Sequence, residues 1–207
     1  MMAARAWQRM LSGRRLDILQ PSPLDIEIED IAHGLARVSR WNGQTSGPFS
    51  FSVADHSLLV EAIFSRDNPG VGPSHQLAAL LHDAPEFVIG DLISPFKSAI
   101  KGEYRLLEHN LLQAIHQRFG LSAMPSGINQ AIKKADAHAA YVEAISLAGF
   151  HVDEANQIFT KPEKMMAIPE VRAPMEAKEA FLNRFNKLYL DHQNITSSKQ
   201  AQNLPVT

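Results

Sequence analysis

Leu77, Ala78, Ala79, Leu80 and Leu81 run without interruption into His82 and Asp83. A run of five apolar residues is stable only when it is buried. It therefore carries two ionisable side chains to the edge of a core. An unpaired buried charge costs several kcal/mol, so the pair must meet partners or a metal ion. Any fold open to this chain has to close around that polar spot.

The remaining apolar residues are spaced for helices. Ile28, Ile31, Leu35, Val38 and Trp41 recur in steps of three and four, which predicts an amphipathic helix from Ile26 to the stop at Asn42-Gly43. Further helices are predicted over residues 53–66 and 103–119, the latter closed by Gly120. An alanine-rich one covers 126–147 and a last one 175–189. One more spans residues 74–87, with Ser74 as its cap and Pro85 kinking or ending it. Phe49, Phe51 and Val53 alternate too briefly to predict a strand. The fold class is all-α, with one helical-bundle domain over residues 26–190. Residues 1–25 read as irregular, broken by Gly13, Pro21 and Pro23, and the polar tail over 191–207 is expected to be disordered.

Composition narrows the function classes. The 207 residues carry a formal charge of −2 and 45% apolar residues, an ordinary globular balance with no basic field for nucleic acid. There is no cysteine, which excludes disulfides and thiolate zinc sites. No apolar stretch approaches a membrane span. The basic start, with Arg5 and Arg9, leads into no apolar export segment. The expectation is a cytoplasmic protein with neither nucleic acid nor membrane as partner.

Two more residues complete the constellation. His56 lies in the preceding predicted helix, and Asp136 in the alanine-rich one, flanked by Ala135 and Ala137. With His82 and Asp83 they form a set of two imidazoles and two carboxylates, which suits one divalent ion with positions left for water. Glu86 follows His82 by four residues and Asp83 by three, so helical spacing puts it beside the pair as a base for the attacking water. Asp91, just after Gly90, is placed to orient that water. The plainer readings are a helix-end ion pair for His82-Asp83 and a helix-dipole residue for Asp55, the rival of Asp136. His109 and His116 lie seven residues apart on one helix face, and His109 reads as a solvated position.

His56, His82-Asp83 and the distal Asp136 resemble the H…HD…D signature of HD-domain metal-dependent phosphohydrolases. The stretch His82-Asp83-Ala84-Pro85-Glu86, then Gly90-Asp91-Leu92, Pro95 and Lys97, is similar to the pattern of the bacterial 5′-deoxynucleotidase branch. So is Arg40-Trp41, fifteen residues before His56. The likeness covers roughly residues 28–145. It implies an HD-domain helical bundle and a single divalent ion (Mn, Co, Fe, Ni, Mg or Zn) held by His56, His82, Asp83 and Asp136. It implies Glu86 and Asp91 as catalytic residues. Arg40, Trp41 and Lys97 would hold a small-molecule nucleotide, with a deoxynucleoside 5′-monophosphate as the expected substrate. Residues 42–48 depart from the pattern and put the number of phosphates in question. A triphosphate hydrolase and a non-catalytic nucleotide-binding regulator are the alternatives, and a homodimer is allowed.

Overall fold

The computed structural model describes residues 6–100, 102–121, 123–168 and 171–202. It is an all-α bundle with one small hairpin. The helices are α1 (Ile28–Leu35), α2 (Val53–Asp67), α3 (Pro73–Leu80), α4 (Glu86–Ile89), α5 (Ser94–Ala99), α6 (Glu103–Arg118), α7 (Ser126–Ser146), α8 (Val152–Ile158) and α9 (Pro174–Gln202). The centre is α2, packed between α3 and α7. Ile63, Phe64, Leu77, Leu80 and Phe181 are fully buried there, and α9 closes the bundle against α3 and α1.

Residues 6–25 are more ordered than the sequence indicates. Trp7–Arg9 (β1) pairs antiparallel with Arg15–Asp17 (β2), Gln8 opposite Leu16. Three-residue strands are too short to show alternation. What anchors them is Leu16, fully buried in the main core, and a turn in which Gly13 adopts φ 88°, a conformation open to glycine at no steric cost.

Four helix boundaries differ from expectation. α1 ends at Leu35 instead of running on to Trp41. The chain turns because the Val38 carbonyl accepts from Val53 N (3.0 Å) and Arg40 N donates to the Phe51 carbonyl (2.8 Å). These bonds flank a single bridge between Ser39 and Ser52. Residues 51–53 thus pair after all, as a clasp too short to be a strand. α3 is capped at Gly72 with Pro73 in its first position, where a missing N–H costs nothing, and Ser74 is not the cap. It ends at Leu80, well before Phe87. Pro85 cannot donate to the Leu81 carbonyl, so residues 81–85 wind as tight turns in which Ala84 N reaches that carbonyl instead (3.0 Å).

The last difference is at the C-terminus. α9 continues to Gln202, through most of the segment expected to be disordered, and residues 203–207 lie outside the described ones. Polarity there marks an exposed helix. Thr196 and Ser198 turn their hydroxyls onto the carbonyls of His192 and Asn194, four residues back (2.9 and 2.8 Å). Among the described residues, no helix is long and apolar enough to cross a membrane.

Candidate metal centre

Three elements meet at the predicted ligands. Ser52 caps α2 by accepting from Asp55 N (3.1 Å), which sets His56 in the first turn, fully buried. The turn after α3 supplies His82 and Asp83, and α7 supplies Asp136. One ligand atom from each of the four lies within 4.8 Å of all the others. His56 Nε2 is 3.2 Å from Asp136 Oδ1 and 3.4 Å from Asp83 Oδ2. His82 Nε2 is 3.3 Å from Asp83 Oδ2.

The histidines each turn one nitrogen towards the carboxylates. His82 Nδ1 donates to the Ala79 carbonyl (2.9 Å) and His56 Nδ1 donates to Glu143 Oε1 (2.5 Å). Each bond takes the Nδ1 proton and turns Nε2 towards the carboxylates. Both Nε2 atoms are buried and without a hydrogen-bond partner. Buried polar atoms are nearly always satisfied, so two orphaned imidazole nitrogens facing two carboxylates fit a divalent ion. His56, His82, Asp83 and Asp136 could hold one. Burial opposes ionisation of Asp83, yet His82 and His56 hold its carboxyl well below the usual range. Burial also opposes a charge on His56, as does Arg40, but Glu143, Asp136 and Asp83 raise its affinity for a proton well above the ordinary.

Glu143 was not singled out from the sequence, and it organises the rear of the site. It is fully buried, and it accepts from His56, from Trp41 Nε1 (2.9 Å) and from Arg40 Nε (3.3 Å). Burial alone would favour its neutral form, but His56 and Arg40 hold its pKa at about 2. A signal was present: it follows Asp136 by seven residues, two helical turns along the same face of α7.

The structure places the other predicted residues as follows. Arg40 joins Glu143 to Asp91, its Nη1 lying 3.1 Å from Asp91 Oδ2. Trp41 packs its ring against Phe150 and Phe159, at centroid distances of 5.7 and 6.0 Å. Trp41 and Asn42 sit in the left-handed region at φ 56° and 51°, a conformation that costs about 1–3 kcal/mol for such residues. The Glu143 bond and the clasp to residue 51 hold them there. Glu86 is buried and accepts through Oε1 from Lys97 Nζ (3.1 Å), while Oε2 has no hydrogen-bond partner. Burial and the charges of Asp83 and Asp91 push its pKa up to about 9. Lys97 also reaches Glu108 (3.5 Å). Asp55, the rival ligand, turns away to Ser52 (2.9 Å) and Arg172 (2.5 Å).

A cleft of about 610 Å³ opens on the cluster, and His82, Asp83 and Asp136 form part of its wall. Arg40, Trp41 and Lys97 do not line it. They brace the site from behind. The divergent loop over residues 42–48 is also elsewhere, tied to the end of α7 by Ser46 N and the Leu147 carbonyl (2.9 Å).

No family model matches the chain. An uncharacterized protein of Rhodobacter capsulatus, RCAP_rcc00048, is 56% identical over 188 residues, spanning 89% of this chain and 96% of that protein. The chain belongs to the same family as that protein, whose name states no activity.

Proposed function

We propose that this chain is an HD-domain phosphohydrolase that uses one divalent ion to cleave a phosphate ester from a nucleotide, in the cytoplasm. A deoxynucleoside 5′-monophosphate is the expected substrate. The observation that carries the reading is the pair of orphaned, oriented imidazole nitrogens, converging with two carboxylates at the end of a nucleotide-sized cleft. A bound divalent ion would supply Lewis acidity to a phosphate oxygen and acidify water.

The chain's own residues do the rest. Glu143 fixes the His56 tautomer, and the Ala79 carbonyl fixes that of His82. Arg40 holds Asp91 in place at the edge of the cluster, where it can orient water. Lys97 pins one oxygen of Glu86, which leaves Oε2 to exchange a proton with the water or the leaving oxygen. A pure binder would have no use for that free carboxyl oxygen, which favours an enzyme over a regulator.

The test is turnover of a nucleotide panel with Mn, Co, Fe, Ni, Mg and Zn, products being separated by chromatography. Inorganic phosphate released from monophosphates is expected. Triphosphate released from a single nucleotide would move the activity to the triphosphate hydrolases. Failure of every metal and nucleotide would leave only binding.

A further inference from the structure

The cleft carries charges that the cluster does not use. Arg105 of α6 and Lys133 of α7 both line it. Among the described residues neither has an ion-pair or hydrogen-bond partner. The cations closer to the proposed chemistry are all engaged: Arg40 by Glu143 and Asp91, and Lys97 by Glu86 and Glu108. Glu108 is the one acid on the lining besides Asp83 and Asp136, and Lys97 neutralises it.

A divalent ion would neutralise Asp83 and Asp136, and the cleft would then be net positive through Arg105 and Lys133. Leu112, Met124 and Ile132 add apolar surface to the lining. A volume of about 610 Å³ is within the range of sites for ligands the size of a nucleotide and far exceeds a lone phosphate. An ester with a single phosphate would meet the cluster and leave both cations without a counter-charge.

We propose that, among the nucleotides of the reading above, the cleft prefers one carrying a second anionic group besides the phosphate at the ligand cluster, that Arg105 and Lys133 bind that second group, and that a plain 5′-monophosphate is the weaker-bound substrate. The second group is a further phosphate, on the sugar's 3′ oxygen or in a 5′ chain. Which phosphate is cleaved rests on the phosphohydrolase reading; the binding preference does not.

The experiment is isothermal titration calorimetry on the full chain loaded with Mn and carrying Glu86→Ala, so that Asp83 and Asp136 are neutralised while turnover is slow. The probes are deoxyadenosine 5′-monophosphate, 5′-diphosphate and 3′,5′-bisphosphate. At least one of the last two should bind ten-fold or more tightly than the monophosphate, and which one does locates the second group. The double variant R105Q/K133Q should abolish that preference with an unchanged melting temperature, since both side chains are exposed. Equal binding of all three, no binding of any, or a preference that survives in the double variant would overturn the proposal. Turnover is read separately with the metal-loaded protein that keeps Glu86. Absence of hydrolysis there, with the binding preference intact, would count against the phosphohydrolase reading alone.

Discussion

α2 presents two faces that treat buried polar groups in opposite ways. Towards α9, Asp55 and Glu61 are buried acids, each closed by an arginine. Arg172 reaches Asp55 at 2.5 Å, and Arg184 grips Glu61 with two nitrogens at 2.6 and 2.7 Å. Towards the cleft, His56 sits in the same helix turn as Asp55, yet its Nε2 faces the carboxylates of Asp83 and Asp136 without a hydrogen-bond partner. A buried group satisfied inside the chain holds the fold together. A buried group that is oriented and unsatisfied is set for something from outside. The two faces differ in which residues stand opposite, arginines in one case and carboxylates in the other.

The sharpest way to break this contrast is at the cleft face. Asp83→Ala removes one of two carboxylates from a four-residue cluster, so bound metal and activity should vanish together while the helical content stays. Wild-type metal by elemental analysis in that variant would remove Asp83 from the ligand set. Glu86→Ala should keep the metal and lower kcat by a factor of about 10² to 10⁴, the usual contribution of a proton-transfer group. Unchanged kcat would end its proposed role.

The α9 face should behave in the reverse sense. Arg184→Ala leaves Glu61 buried and short of its ion-pair partner, at a cost of about 3 kcal/mol. That corresponds to a fall of roughly 6–12 °C in melting temperature for a domain of this size. Metal content should not change, and a loss of metal would mean that the two faces are coupled. Glu143→Gln probes the border between them. Its charge no longer supports His56, so metal affinity in a chelator competition should drop about 10- to 100-fold.

The smallest effect belongs to an exposed version of the arginine–acid theme. Hydrogen bonding from Arg14, aided by Arg118, lowers the pKa of Glu27. Its folded pKa lies below the unfolded one, so its contribution is present above the unfolded pKa and is lost as the pH falls through the folded one. Glu27→Gln should cost no more than about 1 kcal/mol at neutral pH. The difference from wild type should vanish in acid denaturation curves below that window.

Much of the site was legible because its signals are local. An apolar run ending in His82-Asp83 has to place that pair at a core edge, and the spacing of Glu86 keeps it nearby. The chain's helical class followed from steps of three and four in the stripe that begins at Ile28, which reflect one-sided burial, and from the end signals of the later segments. Trp41 was less legible. The same periodicity that ran through it as part of a helix hid the turn at residue 38, because that turn is stabilised by bonds to residues 51 and 53, outside any local window.

What the sequence determined by itself was the all-α class and the choice of His56, His82, Asp83 and Asp136 as a group that could hold a metal ion, since apolar period and residue chemistry are properties of short segments. Tertiary structure decided the rest. It made Glu143 the hub behind His56, placed Arg40, Trp41 and Lys97 off the cleft wall, and set Asp55 and Glu61 of α2 against arginines while His56 of the same helix faces the carboxylates of the cleft. Those outcomes depend on which side chains, a hundred residues apart in sequence, face each other once the helices pack. No local pattern records that.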